Sequence, residues 1–143
     1  MKKSVYINLA GKNYPLNFSL GACKIIVKEL GSLENFEKTL TDKFNEETID
    51  KIETILQALI AQGCAYKNLF EIDAGIFTDK IENPALNKDG RFEPVTKEML
   101  ELAIGFDDIE GISDKIRECI SVSSETEIEG KKVKNEKAPE EKA

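Results

Sequence analysis

Two short segments decide the fold: residues 4–9 read Ser-Val-Tyr-Ile-Asn-Leu, and residues 14–18 read Tyr-Pro-Leu-Asn-Phe. In both, every second residue is apolar, which is the pattern of a β-strand with one buried face. The residues between them, Ala-Gly-Lys-Asn, supply a turn signal. The sequence therefore predicts an N-terminal β-hairpin. Because Pro15 has no N–H to donate, it favours an edge position for the second strand.

Beyond the hairpin the apolar spacing becomes helical. Ser19 is a suitable N-cap for a helix that Gly31 would end, and a short second helix is expected from about residue 32 to residue 40. The clearest helical pattern covers residues 46–62, where acidic residues at the start suit the helix dipole. Thr96 is expected to cap another helix, with an apolar face made by Met99, Leu100, Leu102, Ala103 and Phe106. A last helix is indicated by Ile109, Ile112, Ile116, Cys119 and Ile120.

Two stretches lack this regular pattern. Residues 73–93 contain glycine, proline and asparagine among scattered apolar residues, which predicts a loop, with a short helical turn or a hairpin around Asp89-Gly90. Residues 121–143 are rich in lysine and glutamate and poor in large apolar residues, so a flexible charged tail is expected. The predicted architecture is α+β and mostly α. A hairpin packs on a bundle of four to five helices in one domain, residues 1–120, and the tail follows.

Composition narrows the functional class. The chain of 143 residues has 27 acidic and 20 basic side chains, a formal charge of −7. Nucleic acid and anionic membrane surfaces are therefore disfavoured as partners, because both require a basic patch. No apolar run has membrane-spanning length, and the N-terminal residues do not resemble a signal peptide, so we expect a cytoplasmic protein.

The three cysteines, Cys23, Cys64 and Cys119, are far apart in the sequence. They form no Cys-X-X-Cys pair of the kind that binds zinc or carries redox chemistry. Each has apolar neighbours, so we interpret them as small buried hydrophobic residues in a reducing compartment.

Motifs for catalysis or ligand binding are not found in the sequence. The chain has no histidine, the usual general base and the commonest metal ligand. The adjacent acids Asp107-Asp108 and Glu46-Glu47 fall at expected helix starts, where acids are favourable anyway. A calcium loop with Gly90 in its sixth position would need carboxylates at Ala85 and Thr96, so it is rejected. No catalytic, cofactor or metal site is expected, and the chain is predicted not to be an enzyme.

Apolar residues flanking the 73–93 loop are the candidates for a binding surface. Leu69, Phe70, Ile76 and Phe77 could belong to the core or could remain exposed for a protein partner. A non-enzymatic interaction module is the function that these observations favour.

The order of elements resembles the tail assembly chaperones of long-tailed phages and of prophages derived from them. The resemblance covers roughly residues 5–120. It is carried by Tyr14-Pro-Leu-Asn-Phe-Ser-Leu-Gly21, by Lys28-Glu-Leu-Gly31, by Leu56-Gln-Ala-Leu-Ile-Ala-Gln-Gly63 and by Pro94-Val-Thr-Lys-Glu-Met-Leu-Glu-Leu102. The 73–93 stretch is longer than expected for that family.

The resemblance implies a partner and a role. Such chaperones bind the tape-measure protein, keep this long helical chain soluble, recruit tail-tube subunits, and are absent from the finished virion. A phage-encoded chain would act in the host cytoplasm. Two alternatives stay open: a bacterial adaptor or regulatory protein that binds another protein, and a small enzyme that works without histidine.

Overall fold

The computed structural model describes the backbone of residues 4–41 and 45–134, and the side chains of those residues up to 123. Its fold is α+β and mostly α, as predicted: an antiparallel hairpin is followed by five α-helices within the described residues. The elements are β1 (Val5–Leu9), β2 (Lys12–Leu16), α1 (Leu20–Leu30), α2 (Asn35–Thr41), α3 (Glu46–Tyr66), α4 (Lys97–Ala103) and α5 (Ile109–Lys134). A π-helical segment, Lys67–Ile72, continues α3, and a 3-10 turn, Phe106–Asp108, precedes α5.

The hairpin has the register that the alternating pattern predicts. Val5 lies opposite Leu16, and Ile7 lies opposite Tyr14. Both turn residues have positive φ angles, 52° at Ala10 and 87° at Gly11, as in the tight turns that match strand twist. The apolar side chains of β1 face inward and are buried, so one face of the hairpin belongs to the core.

Capping residues mark the helix ends that the sequence predicts. The Ser19 hydroxyl accepts a hydrogen bond from the N–H of Ala22, and Thr96 accepts one from Met99. Gly31 ends α1 with a φ of 89°, a left-handed conformation that glycine adopts easily. The adjacent acids also serve helix starts, because Asp108 accepts a hydrogen bond from the Gly105 N–H.

Helix α3 is the centre of the structure, and it packs against the hairpin, α1, α2 and α4. It continues through Gly63, where the sequence pattern left an interruption open. A Cβ atom at Gly63 would lie 2.1 Å from the carbonyl oxygen of Pro15, so the hairpin backbone rests directly on the helix. Glycine inside a helix costs about 1 kcal/mol relative to alanine. Here it permits a contact that no larger residue allows.

The predicted apolar face of α4 is wrong in part. Of its large apolar residues only Leu100 is buried, while Met99, Leu102 and Phe106 are 46%, 88% and 75% exposed. The physical reason is the length of the helix. It has seven residues and ends at Ala103, so few positions can face α3, and Phe106 lies beyond it in the 3-10 turn.

The loop and the last helix complete the chain. Leu86 and Phe92 form a single antiparallel bridge around a turn at residues 87–90, which matches the hairpin, one of the two alternatives that the sequence left open at Asp89-Gly90. Helix α5 buries Ile112, Ile116 and Cys119, as its spacing predicts. Its backbone continues to Lys134, past the boundary at residue 120 that the sequence pattern indicated. Residues 135–143 of the predicted tail lie outside the described residues.

Candidate functional site

The candidate site lies at the C-terminal end of α3, where the helix widens into the π-helical segment. The N–H of Asp73 donates to the carbonyl of Asn68 at 2.9 Å, and the N–H of Ile76 donates to that of Glu71 at 2.8 Å. Both bonds span five residues, one more than in an α-helix. Single π-helical turns inside or at the end of α-helices occur frequently at functional sites.

Asn68 connects this segment to the returning loop. Its side-chain amide donates to the carbonyl of Phe92, and its side-chain carbonyl accepts from the N–H of the same residue, both at 2.9 Å. Arg91 adds an ion pair with Asp73. The loop is therefore anchored to the π-helical segment by paired hydrogen bonds, and it does not extend freely into solvent.

A buried lysine holds the same region together from inside. Lys67 is 5% exposed, and its ammonium lies 2.7 Å from Asp79, 3.1 Å from Glu71 and 2.6 Å from the hydroxyl of Ser4. The hydroxyl of Tyr6 donates to the same Asp79 oxygen at 2.6 Å. A buried ammonium is tolerated when its hydrogen bonds are satisfied by charged partners, and here three groups surround it.

The pKa shifts in this cluster follow from those contacts. Burial raises the pKa of Tyr6 most, and the negative Asp79 that accepts its hydrogen bond raises it further. Burial also raises the pKa of Asp79, but hydrogen bonds from Lys67 and Tyr6 outweigh it, so the pKa of that carboxyl is lowered. At neutral pH Asp79 is therefore an ionised carboxylate and Tyr6 is a neutral phenol.

Three of the four residues predicted for partner binding are exposed, and two of them, Phe70 and Ile76, line the same cavity. Leu69, Phe70 and Ile76 are 60%, 56% and 61% exposed, and we call them the π surface. Phe70 also packs on Tyr66, with ring centroids 5.2 Å apart. Phe77 is placed differently: it is half-buried, and its ring meets Phe92 edge-on at 5.8 Å. Phe77 therefore supports the surface from the core side.

A cavity of about 260 Å³ opens beside the π surface. Phe70 and Ile76 line it together with Lys67, Glu71 and Asp79. Its lining thus combines two apolar side chains with an ion cluster whose members already satisfy one another. Such an arrangement can accept an apolar side chain of a partner without leaving a charge unpaired.

The cysteine side chains are free thiols, two of them buried, and they contribute to packing. All three cysteines are free; Cys64 and Cys119 are buried, and Cys23 is half-buried. Burial raises the pKa of the Cys64 thiol to about 12, so it carries no thiolate at neutral pH. Among the side chains described, those of residues 4–41 and 45–123, no three histidine, cysteine or acidic side chains come together as metal ligands.

Sequence reasoning missed the residues that hold the site. Lys67 continues the buried face of α3 after Ile60 and Cys64, and a charged residue in that stripe was a signal for a buried ion pair. Asn68 carried no comparable signal, because its partner Phe92 comes near only through the fold. The exposure of the π surface itself was one of two open alternatives in the sequence.

Comparison with protein-family models, curated proteins and solved structures finds no match to this chain. No helix within the described residues is long and apolar enough to cross a membrane.

Proposed function

We propose that this protein is a non-enzymatic interaction module that binds a helical protein client through the π surface. One observation carries the proposal: Leu69, Phe70 and Ile76 are each more than half exposed on a segment that buried interactions hold in place. Exposed large apolar side chains that cluster beside a cavity are typical of protein-binding sites.

The physics of the surface favours a helix as the ligand. An amphipathic helix presents apolar side chains at spacings of three and four residues, and these can contact Leu69, Phe70 and Ile76 in turn. The cavity of about 260 Å³ lies below the ~300–1,000 Å³ typical of small-molecule pockets, so it suits a single anchoring side chain. Because the segment is already ordered, binding costs little conformational entropy.

The finer proposal is that the chain is a tail assembly chaperone of a long-tailed phage or prophage. Its support is the resemblance over residues 5–120. The client is then the tape-measure protein, a long helical chain, and the second partner is the tail-tube protein. The chaperone keeps the client soluble in the host cytoplasm, brings tube subunits to it and leaves before the virion is complete. An acidic surface, with a formal charge of −7, favours solubility of such a complex.

A general adaptor is the alternative that the same surface supports. It would use Leu69, Phe70 and Ile76 in the same way, with a client unrelated to phage tails. The identity of the client separates the two functions.

Co-expression with a tape-measure protein and a tail-tube protein of a long-tailed phage tests the finer proposal. The expected result is a soluble complex that also captures the tail-tube protein. The triple variant Leu69→Ser, Phe70→Ser, Ile76→Ser should lose the complex and leave the client insoluble, because its apolar anchors are gone. The matched control is Leu20→Ser, which changes a side chain that is 79% exposed on α1.

Different outcomes bear on the chaperone assignment, on the π surface and on the control. Failure of the native protein to bind either tail protein contradicts the chaperone assignment and leaves the adaptor. Binding that the triple variant retains contradicts the assignment of the π surface. Equal loss in the Leu20→Ser control would show that a general change in apolar surface is responsible.

A further inference from the structure

A second apolar groove lies toward the other end of α3, where α3, α4 and the start of α5 meet. Its volume is about 270 Å³, and its lining is almost wholly aliphatic or aromatic. Ile49 and Phe106, at 41% and 75% exposure, stand at its edge. The apolar lining consists of Ile49, Ile52, Leu56, Leu100, Ile104, Phe106, Ile109 and Ile112.

The only charged side chains in this lining are two carboxyl groups that face each other. Glu53 on α3 is 8% exposed, and it shares a hydrogen bond with Glu101 on α4. Burial, followed by this bond and the nearby charge of Glu101, raises the pKa of Glu53 to about 7. Near neutral pH the two carboxyls therefore share a proton, and without it they are two adjacent negative charges.

The neighbouring charged residues do not neutralise these two carboxyl groups. Lys97 on α4 acts on Glu53 from a distance and lowers its pKa, while Asp50 on α3 raises it. Among the described residues no salt bridge joins Lys97 to Glu53 or to Glu101. A cation supplied from outside would satisfy both carboxylates at once, since charge-assisted hydrogen bonds are the strongest of their kind.

We propose that this groove docks an amphipathic helix of a partner protein, whose apolar side chains fill the groove and whose lysine or arginine pairs with Glu53 and Glu101. We call it the carboxyl groove. Charge complementarity selects this occupant, because the apolar walls require apolar side chains and the two carboxyls require a cation. Ile49, Ile52 and Leu56 extend over eight residues of α3, about 10 Å, which corresponds to about two helical turns of a partner.

Other occupants fit the same observations less well. A second copy docked through the same groove would bring two Glu53–Glu101 pairs into one interface and supply no extra cation, which is unfavourable between chains of charge −7. A small molecule is favoured less by the lining, which offers few polar groups to fix its orientation. The lining also has no hydroxyl or amide side chain to orient a substrate, so two carboxyls alone do not make an active site.

The carboxyl groove is separate from the π surface, and the proposal does not depend on the client proposed there. Its distinctive property is a linkage to protons. As the pH rises through about 7, the shared proton leaves and the groove gains a negative charge. Affinity for a cationic helix should therefore rise with pH, by up to about tenfold between one pH unit below and one above that value.

Two labelled peptides of about 18 residues, roughly 27 Å as helices, provide the test. Both carry leucines on one face, and a central position on that face is lysine in one and norleucine in the other. Norleucine keeps the aliphatic chain and removes the ammonium. The full-length protein is titrated with each, with fluorescence anisotropy giving the Kd and amide chemical shifts giving the location.

The lysine peptide should bind about tenfold more tightly than the norleucine peptide above pH 7, and the preference should shrink below it. Glu53→Gln and Glu101→Gln should each reduce the preference, while Glu98→Gln, on the same helix outside the groove, should keep it. Shift changes should centre on Ile52, Glu53 and Leu100.

Equal affinity for the two peptides would overturn the proposal, as would unsaturable binding. Shift changes centred on Leu69, Phe70 and Ile76 would move the peptide to the π surface and also overturn it. A dimer of the free protein that Glu53→Gln strengthens would mean that a second copy occupies the groove. Since Glu101 is exposed, its variant should fold normally and keeps the test valid if Glu53→Gln is destabilised.

Discussion

The N-terminal half of α3 and the π-helical segment that continues it each bury an ionisable side chain, and the two are balanced in opposite ways. Lys67, 5% exposed, lies within hydrogen-bond distance of Asp79, Glu71 and Ser4. Glu53, 8% exposed, faces a second carboxyl. The first charge is neutralised from within the chain, whereas the second needs either a proton or a cation from solution.

This difference separates a structural role, at Lys67, from a proposed role in partner binding, at Glu53. The Lys67 cluster fixes the loop and thereby presents the π surface, but its charges have no capacity left for a ligand. The Glu53 pair contributes an unsatisfied charge directly to a groove wall. A buried ion pair is weak evidence for stability by itself, yet breaking one by removing a partner is costly. The comparison therefore predicts opposite effects when each charge is removed.

Removing the cation at Lys67 should have the largest effect. Lys67→Met keeps the aliphatic packing but leaves Asp79 and Glu71 without their ammonium, so the free energy of unfolding should fall by about 3 kcal/mol. Urea unfolding followed by circular dichroism measures it. Lys51→Met is the control, since its pair with Glu47 is more exposed and should change stability by less than about 0.5 kcal/mol. A similar loss in both variants would contradict the difference between the two kinds of pair.

Removing the charge at Glu53 should stabilise the protein, but only at higher pH. The pKa of Glu53 is about 7 in the folded state against 4.5 for an unperturbed glutamate, so the folded state binds the proton more tightly. The native protein therefore loses stability as the pH rises from about 4.5 through 7, and the loss is complete above that range.

Glu53→Gln can still form a hydrogen bond with Glu101 but cannot ionise. The variant should therefore not lose stability as the pH rises. Its free energy of unfolding should match that of the native protein near pH 4 and exceed it by about 2 kcal/mol near pH 8. Urea unfolding at several pH values gives the comparison, with Glu98→Gln as the control. A difference between native and variant that is the same at every pH would refute the shared proton.

The smallest effect is expected at the edge of the Lys67 cluster. Tyr6→Phe removes one hydrogen bond to Asp79 and should cost about 1 kcal/mol. Because that bond helps to lower the pKa of Asp79, the variant should also raise this pKa, which a carboxyl NMR titration can follow. An unchanged pKa of Asp79 would mean that Lys67 alone sets the charge of the cluster.

The parts of the fold that could be predicted from the sequence depend on local physics. Alternation at Val5, Ile7 and Leu9 defines the buried face of β1, and a one-residue slip would expose all three. The caps at Ser19 and Thr96 are likewise local, because each hydroxyl accepts from an N–H three residues on.

What could not be predicted depends on contacts between distant segments. The π-helical segment adds one residue to a turn, and no simple periodicity indicates it. The exposure of Met99 and Leu102 depends on which elements pack against α4. The helical spacing of its apolar residues does not reveal those elements. The Glu53–Glu101 pair joins α3 to α4, and neither residue is distinguished in its own segment.

The hairpin has a consequence for how the chain is made. Tyr6 bonds to a residue 73 positions later, the N–H of Asn13 donates to the carbonyl of Asn83, and β1 packs against α5. At translation rates of roughly 5–20 residues per second, a nascent hairpin must wait several seconds for these partners. An isolated two-stranded hairpin is at best marginally stable in water. The emerging strands are therefore the part of the nascent chain most open to wrong pairing, until ribosomes have delivered α5.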